Sequence, residues 1–274
     1  MLDEPHLQAL DRLRTIVADL GSVLVTFSGG VDSALVLAVA HEQLGDRAVG
    51  LTAVSPTFPP EELAEAERVV ALLGARAERI DSHELEREGY VANAGNRCYF
   101  CKSELFELAQ ARAVSLGLRW VADGTLVEDL GGHRPGQVAA TENQVRHPLV
   151  EAGLSKAQVR ALAQHLGLPV WDKPAFACLG SRFPVGTAVT PPRLLMVQRV
   201  ESRLRALGLR QFRARWHELE GHPLVRIEID PQDMAFLVQD GVRESVMDAC
   251  TAEGFRFVTL DLQGFRSGGL SHAL

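Results

Sequence analysis

The sequence predicts an α/β fold, a parallel sheet with helices on both faces, followed by a smaller C-terminal α+β domain. Three observations carry this. Short Val/Leu/Ile/Ala runs alternate with helical patterns through the first two-thirds of the chain. The run Val23-Leu24-Val25-Thr26-Phe27 passes into Ser28-Gly29-Gly30-Val31-Asp32-Ser33 and then into an apolar helical stretch from Ala34. Around Arg182-Phe183-Pro184-Val185-Gly186 and Pro191-Pro192 the pattern changes.

In order, an amphipathic pattern with mixed acids and bases predicts a helix over 6–19. Aliphatic runs predict strands near 22–27, 47–54, 75–80 and 119–123. Helical periodicity predicts helices near 33–44, 60–73, 100–116 and 155–166. The segment 126–148, rich in Gly, Pro and polar residues, is too long for a plain connector and is expected to be a functional loop. After the change of pattern come a helix, alternating strands at 212–219 and 223–230, helical stretches to about 253, and a strand at 255–262. Residues 1–182 are therefore expected to form the first domain and 183–274 the second, a substrate-binding or oligomerisation domain.

With 274 residues, 46 % hydrophobic and 23 % charged, the chain has the make-up of an ordinary globular protein. Its apolar runs are too short to span a bilayer, and no secretory pattern opens it, so a cytoplasmic protein without a membrane partner is expected. A net charge of −7 argues against a general nucleic-acid binder. The exception is local: Arg193, Arg199, Arg203, Arg205, Arg210, Arg213, Arg215 and Arg226 form a basic stretch, either a solvated face or a site for a phosphorylated ligand.

A strand, a glycine turn and a helix start make a phosphate cradle. Gly29 and Gly30 allow backbone angles that aim N–H groups at an anion, and Ser28 and Ser33 add hydroxyls. The turn lacks the Gly-Lys-Ser/Thr ending of a Walker loop and so offers no lysine to a terminal phosphate. It resembles the PP-loop signature of ATP pyrophosphatases, the adenine nucleotide alpha hydrolase-like fold. Ligands in such sheets sit beyond the carboxyl ends of the strands, an edge expected to gather this loop with Ala53-Val54-Ser55 and Asp123-Gly124-Thr125. Asp32 reads either as a metal or backbone partner or as a helix-start acid.

Cys98 and Cys101 open a helix beside Arg97 and Lys102, a setting that favours thiolates and points to metal or redox chemistry. Two cysteines cannot close a tetrahedral site, and Cys178, with Arg182 near it, is the candidate third ligand. Cys250, in an amphipathic run, reads as core.

The PP-loop, Asp123-Gly124-Thr125, Arg134-Pro135-Gly136, Arg146-His147-Pro148-Leu149, Ala177-Cys178-Leu179-Gly180-Ser181-Arg182, Arg213-Ala214-Arg215-Trp216-His217 with Arg226-Ile227-Glu228, and Gly264-Phe265-Arg266-Ser267-Gly268 together resemble the LarE family along nearly the whole chain. The resemblance implies an ATP-dependent sulfurtransferase of nickel-pincer nucleotide cofactor biosynthesis. Such an enzyme adenylates a pyridinium dicarboxylate mononucleotide and lets a sulfur nucleophile displace AMP. The three cysteines imply the branch that holds a 4Fe-4S cluster on Cys98, Cys101 and Cys178 and takes exogenous sulfide or another sulfur donor. In the same terms Ser28, Gly29, Gly30, Asp32 and Ser33 hold ATP with Mg2+, and Ala53, Ser55, Gly124 and Thr125 border it. Ser181 and Arg182 line the pocket, while Arg213, Arg215 and Arg266 grip the substrate phosphate. Glu228 orients an arginine or a metal, or merely pairs with Arg226 on one strand face. A homo-oligomer is implied as well. The chain departs from the family where Gly-Thr-Asn-x-Asp-Asp and a following acid are expected, carrying Leu126, Glu128 and Gly132. The rival readings are a PP-loop tRNA thiolase, an amide-forming adenylating synthetase and a nucleotide- or zinc-binding regulator.

Overall fold

The computed structural model describes residues 2–131, 135–174 and 177–266. Along the chain run α1 (Glu4–Leu20), β1 (Val23–Thr26), α2 (Val31–Leu44), β2 (Ala48–Val54), α3 (Pro60–Leu73), β3 (Arg76–Asp81), α4 (Glu88–Val91), α5 (Arg97–Ser115) and β4 (Trp120–Ala122). There follow α6 (Pro135–Glu142), α7 (Pro148–Glu151), α8 (Lys156–His165), α9 (Pro191–Ala206), β5 (Phe212–Leu219), β6 (His222–Ile229), α10 (Met234–Leu237), α11 (Val242–Ala252) and β7 (Phe257–Leu260). The chain divides into two compact units, Met1–Arg87 with Asn96–Phe176, and Glu88–Gly95 with Ala177–Leu274. Among the described residues no helix is long and apolar enough to cross a membrane.

The first unit is α/β. Its four strands are all parallel, in the order β3-β2-β1-β4. β1 is buried at every position, as its unbroken apolar pattern requires of a central strand. α2 is buried from Ser33 through Ala40, a helix apolar on all sides because it lies inside the core rather than over it. α1 presents Ala9, Leu10, Leu13, Val17 and Leu20 as one stripe, and Asp3 caps its start by accepting from the His6 amide at 3.1 Å. The strand order reverses between β1 and β4, which opens the crevice where α/β sheets take ligands.

The segment 126–148 is more structured than expected of a loop. It holds a 3-10 turn at Val127–Asp129, then α6, then Arg146 in a parallel bridge to Ala122 that extends the sheet beyond β4. Leu126 is buried in the core. Gly132, His133 and Arg134 lie outside the described residues.

The second unit is α+β, with a mixed sheet in the order β5-β6-β7. β5 and β6 pair antiparallel from Phe212↔Ile229 to Leu219↔His222, joined by a two-residue turn with Glu220 at φ 52° and Gly221 at φ 77°. Trp216 stacks between Phe183 and Phe255 at 6.0 and 5.4 Å, and Cys250 is fully buried, its thiol pushed up to about 12 by burial, which makes it core. The division of the chain falls after Phe176, earlier than the 182/183 boundary read from the sequence, and the second unit also takes up Glu88–Gly95. Asn93 explains this. It sits at φ 50° and donates through Nδ2 to the carbonyls of Pro184 and Thr187 at 2.8 and 3.1 Å, while Gly186 donates back to its carbonyl at 2.9 Å.

Candidate functional site

After β1 the Phe27 amide still donates to Leu51, and the chain then turns at Gly29 and enters α2. Gly29 has φ 72°, and a Cβ there would stand 2.9 Å from the Cβ of Ala66 on α3, so both conformation and space exclude other residues. Gly30 corrects the expectation that both glycines supply unusual angles. It is extended at φ −80°, and a Cβ would meet nothing nearer than Ser28 Oγ at 3.5 Å. Its use is as a helix N-cap with no side chain of its own over the first-turn N–H groups, which suits an anion arriving there. The Ser33 hydroxyl receives the Ser28 amide at 3.3 Å and donates to the Gly30 carbonyl at 3.2 Å, which fixes the loop from within.

Gly124, beyond β4, presses against this loop. A Cβ on it would lie 2.6 Å from the Ser33 nitrogen and 2.9 Å from the Asp32 carbonyl carbon, so only glycine lets the two turns touch. Asp123 shapes the turn by accepting from the Thr125 amide at 2.9 Å and the Thr125 hydroxyl at 2.8 Å. It also pairs with His147 Nδ1 at 2.7 Å, because the Ala122–Arg146 bridge carries His147 alongside. Burial pushes the Asp123 carboxyl up, but His147, Lys102 and the Thr125 amide outweigh it and hold it below the usual range. The same bond raises the His147 imidazole against its partial burial. Beyond β2, the Ser55 and Thr57 hydroxyls donate to the buried Glu84 carboxylate at 2.5 and 2.8 Å, and Ser82 donates to its other oxygen at 2.5 Å.

Asp32 stands in the first turn of α2 and is met there by a lysine. Lys156, at the start of α8, places Nζ 2.7 and 2.6 Å from its two oxygens. Burial is the largest influence on the Asp32 carboxyl and raises it, with Lys156 pulling the other way. Lys173 also reaches the loop, 3.3 Å from the Gly29 carbonyl, and pairs with Glu62 and Glu65 at 2.7 and 2.5 Å. The loop has no lysine in its own sequence, yet folding brings two from far along the chain. Sequence reasoning missed both. The signal for Lys156 was a cation at the first position of a helix announced by the Ser155/Gln158 capping box, where it opposes the helix dipole unless an anion meets it.

Cys98 and Cys101 occupy the first turn of α5, Cys98 exposed and Cys101 half-buried. That turn rests on α6. A Cβ on Gly136 would come within 3.1 Å of Lys102 Cγ, and Tyr99 Oη donates to Glu142 at 2.9 Å. In the second unit, half-buried Cys178 is the N-cap of the 3-10 turn Leu179–Arg182. Within neither unit do the described residues gather three or more His, Cys, Asp or Glu side chains as a metal site.

Two arginines brace the Cys178 turn. Arg182, fully buried, donates to the Ala177 carbonyl at 2.7 Å and the Ser181 hydroxyl at 2.8 Å, and clasps both oxygens of Glu201 at 2.7 and 2.8 Å. Glu201 also accepts the Ala214 amide at 2.9 Å. Arg215 donates to the Ser181 carbonyl at 2.8 Å and to Glu228 at 3.0 Å, and Arg226 takes the other Glu228 oxygen at 3.0 Å. Arg215 and Arg226 are direct cross-strand neighbours, so Glu228 offsets a repulsion between them. Arg213 stacks on Phe265, with its guanidinium 4.8 Å from the ring centroid. Burial, followed by the nearby Arg182, lowers it to about 10, with Glu201 and Glu228 acting the other way. Arg266 is exposed, and Ser267 and Gly268 lie outside the described residues. Others of the basic stretch turn elsewhere, Arg199 to Glu253 at 3.1 Å and Arg193 over Trp216 at 5.0 Å.

No protein-family model matches the chain. Over 265 residues it is 44 % identical to an uncharacterized protein of Synechocystis sp., a match that spans 97 % of each chain. Over 266 residues it is 37 % identical to the pyridinium-3,5-bisthiocarboxylic acid mononucleotide synthase of Lactiplantibacillus plantarum, spanning 95 % of this chain and 94 % of that protein. A more distant match, 29 % over 185 residues, joins 59 % of this chain to 34 % of the glutamine-hydrolyzing GMP synthase of Paraburkholderia phymatum. Identity at the level of the Lactiplantibacillus match, sustained end to end, makes this chain a member of the LarE family.

Proposed function

We propose that the protein is an ATP-dependent sulfurtransferase of nickel-pincer nucleotide cofactor biosynthesis that adenylates a carboxylate of pyridinium-3,5-dicarboxylate mononucleotide and converts it to a thiocarboxylate. The observation that carries this reading is the relation to the Lactiplantibacillus synthase along nearly the whole chain. The enzyme acts in the cytoplasm and assembles as a homo-oligomer.

The first-turn amides of α2, with Ser28 and Ser33, take the ATP phosphates, and the Gly124-Thr125 turn closes beside them. A substrate carboxylate oxygen attacks the α-phosphorus, pyrophosphate leaves with the electron pair, and the carboxyl becomes an acyl adenylate. A sulfur nucleophile then attacks the acyl carbon and AMP departs. The Asp32 carboxylate is a hard oxygen donor that fits magnesium, which when bound offsets charge on the leaving pyrophosphate. Arg213, Arg215 and Arg266 hold the substrate phosphate, as the forked guanidinium donors suit a phosphate.

Cys98, Cys101 and Cys178 are the proposed ligands of a 4Fe-4S cluster. Thiols are the donors such a cluster takes, and none of the three is buried. When bound, a cluster on three thiolates leaves one iron open for sulfide from an external donor. Arg182 and Ser181 act as positioning residues, since the Arg182 guanidinium donates to the carbonyls of Ala177 and Cys178 at 2.7 and 3.3 Å rather than reaching outward.

The test is to reconstitute the protein anaerobically, assay iron and sulfide, and supply ATP, magnesium, sulfide and the dicarboxylate mononucleotide. AMP and thiocarboxylate forming in equal amounts, lost on replacing any of the three cysteines, support the proposal. Absence of bound iron, or Cys178 turned to dehydroalanine after one turnover, overturns the cluster. The match to GMP synthase favours amide formation as the second reading. AMP released with ammonia by a protein lacking all three cysteines would establish it instead.

A further inference from the structure

We propose that Lys156 is a phosphate ligand that Asp32 holds in reserve. When nucleotide phosphates arrive, Nζ exchanges the Asp32 carboxylate for a phosphate oxygen, and Asp32 turns to the divalent cation. The inference rests on the reading of the glycine loop as a nucleotide site and adds to it a residue that the loop motif does not contain.

The argument begins with Asp32. Its carboxylate stands in the first turn of α2, on the same helix end whose N–H groups are aimed at the phosphates. An anion bound there faces this carboxylate at short range, and the repulsion has to be offset. Lys156 offsets the carboxylate, with both oxygens within 2.7 Å of Nζ. The other charged groups acting on Asp32 are Asp129 and Arg160. Arg160 is engaged elsewhere, donating to the carbonyls of Trp171 and Lys173 at 3.0 and 2.7 Å, so Lys156 is the cation directly bonded to Asp32.

Lys156 is also built to move. Its backbone is anchored, because its amide donates to Glu128 at 2.9 Å and Ser155 and Gln158 cap the helix around it. Its side chain is 36 % exposed on a flexible four-carbon stem. The ammonium sits at the positive end of α8, where it is stable only against an anion, and a phosphate oxygen satisfies it as well as a carboxylate does. Glu128, one of the departures from the family pattern, thus holds the anchor of this lysine.

Calorimetric titration of ATP, without the acceptor substrate so that nothing turns over, tests this across a magnesium series. The wild-type protein is expected to bind ATP with magnesium, and failure there overturns the nucleotide reading itself rather than the exchange. K156M is expected to bind ATP about tenfold more weakly at saturating magnesium. Its half-saturating magnesium concentration should fall severalfold, because the competitor for Asp32 is gone. K156R should restore most of the affinity. D32N, which keeps the lysine, should bind ATP more tightly than wild type in magnesium-free buffer. K156M with unchanged affinity and unchanged magnesium dependence, or D32N with no gain without magnesium, would reduce the pair to a structural clasp.

Discussion

The glycine loop of the first unit and the arginine cluster of the second, both proposed above to take phosphates, are built by opposite physical means. The loop works through backbone: N–H groups at a helix start, a glycine at φ 72°, and a second turn at Gly124 so near that a Cβ there would lie 2.6 Å from the Ser33 nitrogen. The arginine cluster works through side chains, with Arg215 and Arg226 of the sheet held by Glu228 and Arg182 of the adjoining turn held by Glu201 of α9. A backbone site tolerates changes of side-chain chemistry and fails when an atom is added. A side-chain site fails when a charge is removed. Their vulnerabilities should therefore be complementary.

The largest effect is expected where α9 meets the Cys178 turn. E201A leaves Arg182 buried without its carboxylate and the Ala214 amide without its acceptor, which should cost about 3–5 kcal/mol in urea denaturation. A loss below about 1 kcal/mol would mean that water enters to replace Glu201.

Next comes the loop. G29A meets both the positive φ and the Ala66 Cβ at 2.9 Å, and about 2 kcal/mol of destabilisation with loss of ATP binding is expected. G30A, with an extended backbone and 3.5 Å of clearance, should cost less than about 1 kcal/mol, the residual preference of an N-cap for glycine over alanine. Equal effects at the two positions would break the backbone account.

The Asp123–His147 pair joins the two styles, a charged pair that supports a backbone turn. His147 is raised above 6.5 in the fold, so its contribution is full below 6.5 and is lost as pH rises through the raised value. Asp123 is lowered below 3.8, so its contribution is present above 3.8 and is lost as pH falls through the lowered value. Melting temperatures of wild type and H147Q should therefore differ most between those limits, by the equivalent of about 1 kcal/mol, and converge on the alkaline side. A gap that widens toward high pH would reverse the assigned proton position.

The smallest effect belongs to a surface pair of the same basic stretch. R199A breaks the contact with Glu253 at 3.1 Å, and less than about 1 kcal/mol is expected because the arginine is more than half exposed. A larger loss would show that the stretch acts as one network.

The sequence alone determined β1, the glycine loop and α2, because a strand, a positive-φ turn and a helix start are local, and each residue's role depends on neighbours a few positions away. It likewise placed the paired strands β5 and β6 and read Cys250 as core from period and pattern. It gave no notice that Lys156 meets Asp32, and it placed the segment 126–148 as a loop where α6 forms. Only the tertiary structure decided these. The partner of Asp32 lies 124 residues away and that of Gly29 in Lys173 lies 144 residues away. A charge finds its counterpart by proximity in space, at distances along the chain over which local propensity carries no information.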